Sequence, residues 1–250
     1  MHRFYLPPAN CRGPSLRLEG REAHHALHVL RVQPGDPLTV LDGAGQTFLC
    51  VVEQTAKAAL TLAVREVNST PAPPCPLTLL VAVPKAKIIE DIIQKGVELG
   101  VQRIVPLLTE RVITHLDAEG AEAKREKWQQ VAVEAIKQSG AAWLPTVSAP
   151  VPLAQYLARP DTFDLTLIGS LQAERSHPRV YLAEYQTRQG RPPASVGVWV
   201  GPEGDFTPAE VTAIQAAGAQ PITLGRLVLR VETAAIYCLS VLNYELNANL

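Results

Sequence analysis

Cysteine is scarce in this chain of 250 residues: Cys11, Cys50, Cys75 and Cys238 lie far apart, with no Cys-x-x-Cys among them. That spacing argues against a zinc ribbon and against a dense disulfide framework. An excess of one charge is missing too, since 23 Lys and Arg face 24 Asp and Glu. Bulk attraction cannot recruit a polyanion, so any nucleic acid must be held by a local patch. No apolar run approaches the ~20 residues of a membrane span. Met1-His2-Arg3-Phe4-Tyr5-Leu6-Pro7-Pro8 has no apolar stretch of the signal-peptide kind. These absences read as a soluble, cytoplasmic protein without a membrane partner. What is present is a composition 47% hydrophobic and 19% charged, enough for a sizeable core and unlike a disordered chain. The length suits two small domains at roughly 100–200 residues each.

Proline marks the division. Ser69-Thr70-Pro71-Ala72-Pro73-Pro74-Cys75-Pro76 cannot continue a helix or a central strand, because each proline lacks an N–H donor. The expected organisation is a small β domain over 1–70, a linker over 71–76 and an α/β domain over 77–250. In the first domain, Leu38–Asp42, Thr47–Val52 and Leu60–Val64 are strand-like runs, and Gly43-Ala44-Gly45 supplies a turn. Glu22–Leu30 reads as helix. Beyond the linker, Leu77–Val83 is continuously apolar, the pattern of a strand buried on both faces. A helix from about Ala86 to Leu99 follows, with Gly100 placed to end it. Strands at 104–108, 165–168 and 196–200 alternate with further helices, including Glu122–Gln138, which predicts a parallel sheet. Gln172–Ala194 is the least legible stretch.

The most informative segment is Trp199-Val200-Gly201-Pro202-Glu203-Gly204-Asp205-Phe206-Thr207-Pro208-Ala209-Glu210. A buried strand runs into a Gly-Pro-x-Gly loop and then into a helix with Thr207 as N-cap, Pro208 in its first turn and Glu210 completing a capping box. Ligands of open α/β sheets collect outside the carboxyl ends of strands, where such a loop must lie. It is neither a dinucleotide fingerprint nor a phosphate loop. Glu203 and Asp205 suit a cationic or hydroxyl-bearing ligand, and a tight turn with no ligand is the plain alternative. A second glycine-bearing loop, Leu224-Gly225-Arg226-Leu227-Val228-Leu229-Arg230-Val231-Glu232-Thr233-Ala234, leads into a terminal helix expected to start near Thr233. Arg230 and Glu232, two apart, could form a plain surface ion pair.

Together these two loops resemble the SPOUT class of methyltransferases, and more specifically the ribosomal RNA small subunit methyltransferase E family, which methylates uridine N3 in 16S rRNA. Glu22-Ala23-His24-His25, Gly35-Asp36, Lys95-Gly96-Val97-Glu98-Leu99-Gly100 and Glu134-Ala135-x-x-Gln138-Ser139 are similar to other family motifs, so the likeness spans nearly the whole chain. The chain departs from the family's pattern at Asp205, usually glycine, at Ala141, usually arginine, and around Arg226. The resemblance implies a PUA-like barrel followed by a catalytic domain threaded as a trefoil knot. It implies S-adenosylmethionine held by Ile168, Gly169, Gly201, Pro202, Glu203, Gly204, Leu224, Gly225, Leu229, Thr233 and Ala234. Arg230 would stabilise the negative charge that develops on the base, and Glu232 would orient Arg230 or accept a proton. It also implies a homodimer formed through the catalytic domain, with 16S rRNA or the small subunit as partner.

Basic residues for RNA gather early: Arg3, His24, His25 and Arg31, joined by Lys85 and Lys87. His24 and His28 stand four apart, a spacing compatible with a metal pair, yet no third ligand accompanies them. Other readings of the chain are a non-catalytic RNA-binding protein, a related enzyme with another RNA target, and an α/β enzyme acting on a small metabolite. Ile236, Leu239, Leu242 and Leu246 of the last helix would be either core or interface.

Overall fold

The structure, a computed structural model, describes residues 1–85, 88–112, 116–171 and 175–246. Ala86 and Lys87, at the expected start of the first long helix, and Gln172, at the head of the least legible stretch, lie outside the described residues. The chain forms two compact units, Met1–Ala72 with Val133–Leu144, and Pro73–Ala132 with Pro145–Leu250.

The first unit is built on a five-stranded sheet of order β1-β3-β4-β5-β2. Its strands are β1 (His2–Tyr5), β2 (Ser15–Glu19), β3 (Pro37–Leu41), β4 (Gln46–Ala56) and β5 (Ala59–Ser69). β1 and β3 run parallel and the other pairs antiparallel. Strict alternation in β2 buries Leu16 and Leu18 and exposes Ser15, Arg17 and Glu19, the period of a half-buried strand. They join Phe4, Leu38, Val40, Phe48, Leu60 and Leu62 in one core. The β3–β4 turn is shaped by the buried Asp42, whose Oδ1 accepts from the N–H groups of Ala44 at 2.7 Å and Gln46 at 2.9 Å. Helix α1 (Gly20–His24) continues into a single π turn over His25–Val29.

The boundary differs from a simple cut in the proline segment, because Val133–Leu144 groups with the first unit. Hydrogen bonds explain this grouping. Arg3 Nη1 donates to Gln138 O at 2.9 Å, Lys137 Nζ reaches Glu22 at 2.8 Å, and Trp143 Nε1 donates to Thr70 O at 3.1 Å.

In the second unit the elements are β6 (Leu77–Ala82), α2 (Ile88–Glu98), β7 (Arg103–Leu108), α3 (Ala118–Ser139), β8 (Thr146–Val147), β9 (Val151–Pro152), α4 (Leu153–Ala158), β10 (Leu165–Gly169), α5 (Pro178–Gln189), β11 (Val196–Val200), α6 (Pro208–Ala216), β12 (Gln220–Ile222) and α7 (Val231–Leu246). The last third of α3 belongs to the first unit. The strands form a sheet of order β12-β10-β11-β6-β7-β8, with β9 also on β7, and every pairing is parallel. β6 and β11 are neighbours at its centre, and every residue of both is buried, as continuous apolar runs require. Gly100 ends α2 at φ +78°, and Asn243 Nδ2 of α7 donates to Leu99 O at 2.8 Å.

One boundary corrects the sequence reading: α7 opens at Val231, two residues before Thr233, and the Ala234 N–H already bonds Arg230 O at 2.8 Å. Thr233 therefore lies within the first turn of α7. Leu239 and Leu242 are wholly buried within the single chain and belong to its core.

Candidate functional site

Loops at the carboxyl ends of β10, β11 and β12 meet around a cleft. Its lining combines Gly169 and Ser170 after β10, Gly201, Pro202, Glu203 and Asp205 after β11, and Leu224, Gly225 and Leu227–Leu229 after β12. Val231 and Ala234, one helical turn apart on α7, close the floor.

The loop after β11 is fixed at both ends. Pro202 is buried and Phe206 is 2% exposed within the core. The Asp205 N–H bonds Pro202 O at 2.9 Å, and Asp205 takes a left-handed φ of +62°, a conformation that aspartate tolerates better than most side chains. A Cβ on Gly201 would lie 3.0 Å from Asp205 Oδ1 and 3.1 Å from the Phe206 backbone nitrogen, so the turn admits no side chain there. The expected capping box is present: the Glu210 N–H donates to Thr207 Oγ1 at 3.3 Å, and the Thr207 N–H donates to Glu210 Oε2 at 2.8 Å. Two neighbouring loops brace the turn. The Lys85 N–H donates to Glu203 Oε1 at 3.1 Å, and Arg111 donates to the carbonyl oxygens of Gly204 and Asp205.

The structure brings most of the nominated cofactor residues together, with exceptions. Ile168 is wholly buried in the core beneath the cleft, and Gly204 faces Arg111 instead of the lining. Thr233 is exposed, since on a helix it points away from the face shared by Val231 and Ala234. Arg230 stands between the lining residues Leu229 and Val231 with its side chain exposed. Among the described residues no ion pair joins Arg230 to Glu232, which is half-buried in the first turn of α7. Arg175 lines the cleft and donates to Ser170 O at 2.8 Å; it sits in the stretch whose sequence was least legible. Arg111 also escaped sequence reasoning, although its position just past the carboxyl end of β7 is where open sheets gather functional loops.

The nominated RNA residues divide between the units. In the first, Arg3 is spent partly on capping the end of α3, where a cation meets unpaired carbonyls. His24 is exposed with its ring 4.8 Å from that of His28, while the His25 ring packs edge-on against Phe4 at 6.1 Å. Arg31 is exposed at φ +55°. Lys85 is exposed in the second unit, and Lys87 is outside the described residues. No group of three metal-ligating side chains occurs among the described residues, and none of their helices is long and apolar enough to cross a membrane.

A two-part chain with this cleft has the architecture of an RNA-modifying methyltransferase. A family model described as an RNA methyltransferase domain matches residues 71–243, and one described as an RNA methyltransferase PUA domain matches 18–64. The chain is 34% identical to the ribosomal RNA small subunit methyltransferase E of Synechocystis over 97% of its own length and 77% of the relative's. It is 30% identical to the Bacillus subtilis protein of the same name, covering 93% and 91% of the two chains. Among solved structures, a Legionella pneumophila methyltransferase with bound SAM superposes with a TM-score of 0.86 at 32% identity, covering 97% of each chain. The ribosomal RNA small subunit methyltransferase E of Neisseria gonorrhoeae, bound to S-adenosylmethionine, gives 0.85 at 28% identity and 98% of each chain. The chain belongs to the ribosomal RNA small subunit methyltransferase E family.

Proposed function

We propose that this protein transfers the methyl group of S-adenosylmethionine to N3 of a uridine in 16S rRNA of the small ribosomal subunit. The observation carrying this reading is the glycine-built cleft at the carboxyl ends of β10 and β11, with Arg230 exposed between two of its lining residues. The residues present suit the donor. Gly201 lines the cleft on a turn that admits no side chain there, and Val200, Leu224, Leu229, Val231 and Ala234 offer apolar surface for an adenine ring. When bound, the donor supplies an electrophilic methyl on a sulfonium.

The chain's own residues then have three tasks. Backbone groups of the Gly201–Asp205 and Leu224–Leu229 loops hold the adenosyl portion and fix its orientation. Uridine N3 loses its proton as it gains the methyl, and charge moves onto the flanking carbonyl oxygens. The Arg230 guanidinium, permanently charged and forked, is assigned to those oxygens. Glu232 is assigned to accepting that proton or to orienting Arg230. The first unit would hold the RNA through Arg3, His24, His25 and Arg31, with Lys85 and Lys87 added from the second. The target base must leave its stack, at about a few kcal/mol, to reach the cleft. A cytoplasmic homodimer paired through the catalytic domain is part of this proposal.

Mass spectrometry of rRNA nucleosides from cells with and without the gene tests it. Loss of one 3-methyluridine from 16S rRNA, restored by the parent gene and not by Arg230→Ala, is the expected result. An unchanged nucleoside profile refutes the activity.

A further inference from the structure

The charges on the cleft wall are few, and every one of them is pinned. Among the described lining residues the ionisable side chains are Arg175, Glu203 and Asp205. Arg175 Nη1 donates to Ser170 O at 2.8 Å. Glu203 Oε1 accepts the Lys85 N–H at 3.1 Å, and Asp205 Oδ1 accepts the Phe206 N–H at 2.8 Å. Backbone partners thus fix one cation and two anions around the same space. Arg111 lies behind the loop on the carbonyls of Gly204 and Asp205, and Arg230 is exposed; neither belongs to the lining.

The two carboxylates thus outnumber the one guanidinium among the described lining side chains. The methyl donor carries one net positive charge, from a sulfonium and an ammonium set against a carboxylate. Once the methyl has left, the thioether product carries none. Fixed charges act more strongly than mobile ones, because no side-chain rearrangement weakens their field when the ligand changes. We propose that Asp205, acting with Glu203, makes the cleft select the cationic donor over its neutral thioether product, while Arg175 receives the carboxylate common to both. Asp205 is the distinguishing element, since its left-handed backbone and the Phe206 N–H bond fix its carboxylate at the wall. The inference rests on the cofactor assignment under Proposed function and adds that the site favours release of spent product.

Titration calorimetry on the full chain tests it with three ligands: S-adenosylmethionine, S-adenosylhomocysteine and an analogue with a protonated amine in place of the sulfonium. The parent should bind both cationic ligands more tightly than the thioether, with the gap narrowing at high salt. Asp205→Asn keeps an acceptor for the Phe206 N–H and tolerates positive φ, so it should fold. Removing one charge a few ångströms from a partly solvated ligand should shrink the donor-to-product affinity ratio roughly 3- to 10-fold. Arg175→Met should weaken all three ligands through the lost carboxylate contact, and should hold or raise that ratio because it removes a positive charge. A parental ratio in a natively folded Asp205→Asn protein overturns the inference, as does an equal loss of ratio in Arg175→Met. If the parent binds none of the three ligands, the cofactor assignment itself fails, and the inference falls with it.

Discussion

Lys137 Nζ lies 2.8 Å from Glu22 Oε1, and the two side chains are only 7% and 13% exposed. The pair joins two stretches that carry the family resemblance, Glu22-Ala23-His24-His25 and Glu134-Ala135-x-x-Gln138-Ser139. Both therefore do structural work in the first unit. Glu22 Oε2 also accepts the Tyr5 N–H at 3.2 Å, and Glu134 shares the Lys137 ammonium at 3.1 Å. Breaking a buried pair from one side costs about 3 kcal/mol or more, because the remaining charge keeps its desolvation penalty. Lys137→Met should incur that cost in urea unfolding. Glu22→Gln should cost less, since Glu134 still neutralises Lys137 and the amide oxygen still accepts from Tyr5. Equal losses in the two variants would contradict this sharing.

The parts of the fold readable from sequence are those in which local pattern and tertiary position agree. β6 and β11 are continuous apolar runs because they occupy the buried centre of a parallel sheet. The start of α6 is legible because its cap is made by its own residues, Thr207 and Glu210. β1 and β2 combine charged and apolar residues, HRFY and SLRLE, so neither is a continuous apolar run. β12 contains Pro221, which disguises a strand that can accept proline only because it lies at the sheet edge. The glycine loops of the cleft showed in sequence, but Arg175 and Arg111 did not. Their roles depend on contacts with Ser170 O and with the carbonyls of Gly204 and Asp205, which no periodicity encodes.

Two glycines of the cleft should respond differently to the same methyl group. A Cβ on Gly201 would meet Asp205 Oδ1 at 3.0 Å and Phe206 Cδ2 at 3.1 Å, both on a loop held at its two ends. Gly201→Ala must displace that loop, and donor affinity measured by calorimetry should fall at least roughly tenfold, equivalent to about 1.4 kcal/mol. A Cβ on Gly169 has nothing closer than 3.6 Å. Gly169→Ala should therefore leave the urea midpoint close to the parent's, within about 0.5 kcal/mol. Parental donor affinity in Gly201→Ala would show that the loop is softer than its contacts imply.

The thiols give a stability signature at alkaline pH. Burial pushes Cys238 up to about 12, and burial followed by the neighbouring Cys11 pushes Cys50 up to about 11. Cys11 rises to about 11 through burial and then Asp42. Unfolded thiols ionise near pH 8.5. Their contribution to stability is thus fully present below that value and is lost as pH rises through about 11 to 12. The urea midpoint should decline steadily from pH 8.5 upward. At pH 8, Cys50 and Cys238, both buried, should react with a thiol reagent only after unfolding. Rapid labelling of either in the native protein would contradict their burial.

Arg111 offers the clearest separation of positioning from chemistry. Its guanidinium donates to the carbonyl oxygens of both Gly204 and Asp205, and the adjacent Glu110 N–H donates to Glu210 Oε1 at 2.8 Å. The segment after β7 thus grips the cleft loop from behind, and Arg111 is absent from the lining. Removing the side chain leaves two carbonyls to water and frees a loop whose Asp205 sits in a sparsely populated conformation. Arg111→Met should therefore raise KM for the donor several-fold while changing kcat little, because the reacting atoms lose no direct partner. Arg111→Lys restores the charge but not the forked geometry, so it should recover only part of the loss. A variant that lowers kcat at unchanged donor KM would place Arg111 in the chemistry itself, contrary to its position behind the loop.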